Sequence, residues 1–121
     1  MAGNKKFGDH LREIRKAKAK TDPNFTLRKF ADAVGISPTF LSKVERGEFD
    51  PPRPEKIMRM AELLGVDADE LLALAGRVDP ELSEIIRKRP SLLPDLLRST
   101  RGMSDKQLRE LAERAQKKKK K

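Results

Sequence analysis

Within residues 38–45, Thr39, Phe40, Ser42 and Lys43 bring together side chains whose chemistry suits the edges of DNA bases. Short hydroxyls bond several base edges, a lysine reaches guanine O6 or N7, and an aromatic ring packs on a thymine methyl. Around them stand groups suited to phosphate: the cations Arg28, Lys29, Arg46, Arg53 and Lys56, and the Ser37-Pro38 pair. Ser37 reads as an N-cap and Pro38 as a first-turn proline, so the new helix presents backbone amides to an anion. The plainer alternative is a solvated helix face, with Phe40 merely covering the core. Chemistry of other kinds has little to work with. There is no cysteine and only one histidine, His10, which reads as an exposed structural residue. A thiolate or multi-histidine metal site within the monomer is thereby excluded, and no catalytic constellation or glycine-rich phosphate loop is visible. Neither metal nor cofactor is expected, nor is an enzyme.

The elements that must position these residues are two short helices and a tight turn, residues 26–47. Thr26 caps the first, and Phe25 before it packs on Phe30 as a hydrophobic staple. Leu27, Phe30, Ala31 and Val34 fall on one helical face, leaving Arg28, Lys29 and Asp32 on the other. Ala31 lets a second helix cross closely, and Gly35 supplies the left-handed conformation that ends the helix. In the second helix Leu41 and Val44 point inward with help from Ile36, which turns Pro38, Thr39, Ser42, Lys43 and Arg46 outward. Phe40 lies at the margin, and Gly47 closes the helix. An earlier helix, from about residue 6 to residue 19, is marked by Phe7, Leu11, Ile14 and Arg15. The prolines of residues 51–54 make a rigid loop before a helix with Ile57, Met60, Ala61 and Leu64 inside, where Met58 and Met60 read as core filler. Gly65 ends it. Asp67 and Glu70 cap a fifth helix carrying Leu71, Leu72 and Leu74, and Gly76 closes the unit.

At two runs the chain resembles the Cro and phage-repressor family of helix-turn-helix regulators, also called the XRE family. They are Phe-Ala-x-x-Val-Gly-Ile-Ser-x-x-x-Leu-Ser-x-Val-Glu-x-Gly (residues 30–47) and Met-Ala-Glu-Leu-Leu-Gly-Val-Asp-x-x-Glu-Leu-Leu (residues 60–72). The resemblance covers roughly residues 7–75 and implies an all-α, five-helix lambda-repressor-like domain that binds double-stranded DNA. It also implies a largely buried ion pair between Arg15 and Glu45, structural rather than DNA-contacting. Two positions depart from the family. Where it often has a phosphate-bonding glutamine, this chain has Leu27, with Arg28 or Lys29 as replacements. The connection over residues 18–24 is also longer than usual, either a solvated loop or an extra basic finger beside DNA.

A chain of 121 residues with 36% hydrophobic and 39% charged residues fits a small helix-rich protein. Its formal charge is +9, but the lysines at 117–121 supply five of those charges and leave +4 for the rest. Clustering of cations around the motif therefore matters more than the total. The lysine run reads as a disordered arm adding nonspecific DNA affinity, a solubilising end, or a remnant of expression. No apolar stretch is long enough to span a membrane, and the N-terminus lacks the apolar core of a secretory signal. A cytoplasmic protein is expected, nucleoid-associated if bacterial.

Beyond residue 76 come three amphipathic pieces. Asp79-Pro80 begins a helix with Leu82, Ile85 and Ile86 on one side, and Pro90 stops it. Ser91 opens a short piece with Leu92, Leu93, Leu96 and Leu97. Ser104 and Gln107 make a capping box before Leu108, Leu111, Ala112 and Ala115. The expected organisation is a helix-turn-helix DNA-binding domain over residues 1–76, a helical extension over 77–116, and a basic tail over 117–121. Such an extension buries too little surface to stand alone. Its expected role is to form a homodimer on a palindromic operator, which would make the protein a sequence-specific transcriptional regulator, a repressor that occupies a promoter. The alternative is a protein-interaction module, an antitoxin or coactivator-like adaptor that holds a protein partner through residues 79–115.

Overall fold

Asn4 opens the first helix by accepting the Phe7 amide on its side chain (2.9 Å) while its Nδ2 donates to the Leu74 carbonyl (3.2 Å). One cap thus starts a helix and ties it to the far end of the domain. In a computed structural model that describes residues 3–119, α1 (Lys5–Ala19) is followed by a 3₁₀ turn (Pro23–Phe25), α2 (Leu27–Val34), α3 (Pro38–Glu45), α4 (Pro54–Leu64) and α5 (Ala68–Leu74). Then come α6 (Pro80–Lys88), α7 (Leu92–Ser99) and α8 (Asp105–Lys119). The regular structure among the described residues is all helical. No helix there is long and apolar enough to cross a membrane.

The helices form where capping and periodicity call for them. Thr26 accepts the Lys29 amide (3.3 Å), Ser37 that of Phe40 (3.0 Å) and Asp67 that of Glu70 (3.0 Å), each satisfying a first-turn donor that the helix itself leaves unpaired. Phe25 and Phe30 meet with ring centroids 5.8 Å apart, the staple expected at the entry to α2. Gly35 sits at φ +87°, where its amide reaches the Ala31 and Asp32 carbonyls and turns the chain into α3. Phe7, Leu11, Phe30, Leu41, Ile57, Met60 and Leu72 are fully buried and make one core from all five helices. Leu27, Ile14, Met58 and Leu74 pack at its edge.

Helices α1 and α3 approach each other closely. A Cβ on Gly8 would stand 2.4 Å from the Val44 carbonyl oxygen and 2.7 Å from that of Glu45, closer than any side chain can sit. Gly8 is thus the position that lets the two helices touch backbone to backbone. The long connection after α1 is folded rather than a projecting finger. Asp22 caps its 3₁₀ turn through Asn24, and Phe25 is buried.

By internal contacts the chain divides into residues 1–80 and residues 81–121. The first unit continues past Gly76 because Arg77 donates to the Pro51 and Pro52 carbonyls (2.8 and 3.4 Å), and those two prolines are buried. In the second unit α6 and α7 contain no buried residue. Local contacts hold its turns: Glu84 pairs with Arg87, Asp95 with Arg98, and Ser104 with Gln107 in a two-way capping box (2.9 and 3.1 Å). Helix α8 runs three residues beyond the expected boundary at 116, through the lysines at 117–119. Lysine is a good helix former, and its charge suits a helix C-terminus. The remaining lysines of the run, at 120 and 121, lie outside the described residues.

Candidate nucleic-acid interface

Helix α1 and the 3₁₀ turn fix the orientation of α3. Arg15 on α1 donates from Nε and Nη2 to the two carboxylate oxygens of Glu45 (2.7 and 2.8 Å) and from Nη1 to the Phe25 carbonyl (3.0 Å). Both side chains are almost fully enclosed, at 7% and 3% exposure. A fork-to-fork geometry of this kind satisfies the buried charges and resists rotation of either helix. Leu41 and Val44 are buried on the inner side of α3, so its other side faces outward.

On that side Thr39 is exposed, and Phe40, Ser42 and Lys43 are half-buried. Ser37, exposed at the N-cap, spends its acceptor on Phe40, and Pro38 has no N–H to give. The Thr39 amide is therefore the first-turn donor that remains open to an anion. Lys56, in the first turn of α4, reaches back over the turn between α2 and α3. Its Nζ lies 3.0 Å from where a Gly35 Cβ would stand. Arg53 is the exposed N-cap residue of α4, and Arg28 and Lys29 are exposed on the first turn of α2. Arg46, at the C-cap of α3, is held by Glu48 (3.1 Å) with both side chains half-exposed. All the candidate residues read from the sequence lie in the first unit. Lys56 is brought to the motif turn, whereas Arg46 is tied to a carboxylate.

An apolar groove of about 400 Å³ adjoins this surface, floored by Ile36, Phe40, Phe49, Pro51 and Pro52 and rimmed by Arg53 and Lys56. Phe49 was not among the residues singled out by sequence. It follows Gly47, where no helical period operates, yet its ring packs on Phe40 (centroids 6.0 Å) and lies 5.0 Å from the Lys43 ammonium. Asp50 beyond it accepts the Gly3 amide (2.9 Å), so the segment before α1 secures the loop that follows α3. A lone aromatic after a helix-closing glycine was the available signal. Among the described residues no group of three or more histidine, aspartate or glutamate side chains is placed to hold a metal ion.

The chain is similar to known helix-turn-helix proteins. The family described as "Helix-turn-helix domain" matches residues 6–74. Two curated relatives come from Bacillus subtilis (strain 168). The uncharacterized HTH-type transcriptional regulator RghRB is 35% identical over 79 residues, 65% of this chain and 53% of that protein. The HTH-type transcriptional repressor RghR is 29% identical over 73 residues, 60% of this chain and 50% of that one. The chain thus spans about half the length of the curated relatives it matches. Among solved structures, the restriction-modification controller protein C.AhdI from Aeromonas hydrophila is 30% identical with a TM-score of 0.46, over 55% of this chain and 92% of that one. The clp gene regulator ClgR from Corynebacterium glutamicum is 26% identical with a TM-score of 0.48, over 81% and 93%. With the family match spanning more than half of its residues, the chain belongs to the helix-turn-helix domain family, in keeping with the Cro/phage-repressor resemblance of its two motif runs.

Proposed function

We propose that the protein is a transcriptional regulator that binds double-stranded DNA sequence-specifically, as a homodimeric repressor on a palindromic operator. The observation that carries the reading is α3, locked from behind by Arg15 and Glu45 and presenting Thr39, Ser42 and Lys43 outward. In this reading Thr39, Ser42 and Lys43 touch base edges, with Phe40 against a thymine methyl. The Thr39 amide, Ser37, Arg28, Lys29, Arg53 and Lys56 seat the phosphates, with Pro38 beside them setting the start of the helix without a donor of its own, and Arg46 joins them with the guanidinium donors that Glu48 leaves free. The expected site of action is the cytoplasm, on chromosomal DNA. Relatives named as transcriptional regulators support this role over catalysis.

Selection of bound sequences from random duplex DNA tests the reading. The wild type enriches a two-fold symmetric site, and Lys43→Ala with Thr39→Ala loses part of the preference. If that variant folds normally and selects the same sequences with undiminished affinity, α3 is not the reading helix.

A second reading rests on the exposed apolar residues of α6 and α7, with Leu82, Ile85, Leu92, Leu96 and Leu97 each at least 40% exposed. They suit a protein partner, as in an antitoxin or adaptor. Sedimentation of the isolated chain separates the two: a stable homodimer supports the repressor, and a monomer that associates only with a co-expressed partner supports the adaptor.

A further inference from the structure

We infer that Phe49 is a specificity-determining positioning residue: its ring fixes the reach of the Lys43 ammonium and so decides which base pair that lysine reads. The inference rests on the DNA-binding reading of α3.

Phe49 grips Lys43 at both ends. The Phe49 and Glu48 amides both donate to the Lys43 carbonyl (3.3 and 2.8 Å), which folds the loop back beside α3. The same fold brings the Phe49 ring to 5.0 Å from Lys43 Nζ. Phe40 backs the ring from α3 at 6.0 Å and an interplanar angle of 48°, and Asp50, the next residue, is held by the Gly3 amide. Phe49 is 40% exposed, so its ring is not enclosed in the core and stays within reach of the Lys43 ammonium. Its apolar surface faces the same groove that Arg53 and Lys56 rim.

The chemistry of the holder matters. Arg46 is held by Glu48 and Arg59 by Glu62, carboxylates that occupy the donors they attract and offset their charge. An aromatic face attracts a cation through its quadrupole and takes up no strong hydrogen-bond capacity. Lysine has three N–H donors on a flexible four-carbon stem. Held over a ring, it keeps donors for guanine O6 and N7 while losing the freedom to sweep across neighbouring base pairs.

The test is sequence selection from random duplex DNA with the full chain. Wild type, Phe49→Leu, Phe49→Tyr, Lys43→Ala and the Lys43→Ala/Phe49→Leu double variant are compared, each checked for folding by thermal melting. Leucine keeps apolar bulk and lacks the π-face, whereas tyrosine keeps both. The base pair at which Lys43→Ala loses its guanine preference is the one expected to respond. There Phe49→Leu lowers the preference about two- to fivefold, the range of an exposed cation–π contact. Phe49→Tyr retains it, and Phe49→Leu has no further effect at that pair once Lys43 is gone. The inference is overturned if Phe49→Leu selects as the wild type does, or lowers affinity for all sequences equally with and without Lys43. A wild type that enriches no sequence overturns the DNA-binding reading and this inference with it.

Discussion

Arg15 and Glu45 show how much one side-chain pair can settle. Their enclosure means that removing either leaves the other charged group in the core without its partner. Arg15→Ala is expected to cost about 3–5 kcal/mol, read as a lower urea midpoint, before any question of DNA arises. Arg15→Met combined with Glu45→Leu should recover most of that loss, because an apolar pair of similar volume has no buried charge to orphan. Equal destabilisation in the single and double variants would show that the pair is not the source. Around the candidate interface, sequence located what belongs to a helical period: Leu41 and Val44 are buried as expected, which leaves Thr39 exposed and Ser42 and Lys43 half-buried on the other side of α3. It missed Phe49, and it also missed the bond from Arg15 to the Phe25 carbonyl. Both lie in irregular segments, whose turns follow no helical period, so apolar spacing gives no sign of where their groups point.

At the level of elements, Gly8 gives the sharpest expectation. In an isolated helix Gly→Ala stabilises by about 1 kcal/mol. In α1 the added methyl would run into the Val44 and Glu45 carbonyls at 2.4 and 2.7 Å. The helices would have to separate, at a cost of roughly 1–3 kcal/mol or more from overpacking. Gly8→Ala should therefore lower the melting temperature, and a raised one would place the α1–α3 crossing elsewhere. The five helices of the first unit were readable from caps and apolar periods, including the staple of Phe25 on Phe30 and the turn at Gly35. Gly8 was not, since a glycine inside an amphipathic helix looks like a simple penalty until the helix that crosses it is known. The Asn4 cap and the Arg77 clamp on Pro51 and Pro52 lay just outside the boundaries that periodicity marked.

For the whole molecule, the second unit is where surface chemistry asks for a partner. Leu92 is 69% exposed and Leu96 47%, one turn apart on α7. If that face closes a dimer, Leu92→Glu with Leu96→Glu should shift the chain to monomer in sedimentation equilibrium and weaken operator binding through lost avidity. The melting of residues 1–80 should stay unchanged; a variant that remains dimeric would move the interface off α7. The first unit has the opposite character. One guanidinium joins α1, the entry to α2 and the end of α3, so the face of α3 proposed to read DNA is braced from behind as the unit folds. In the proposed DNA-binding reading, the backbone adjustment a good fit requires falls largely on the duplex, whose bending and groove width vary with sequence. Base pairs that α3 never touches would thus enter the choice of site, through the ease with which they deform.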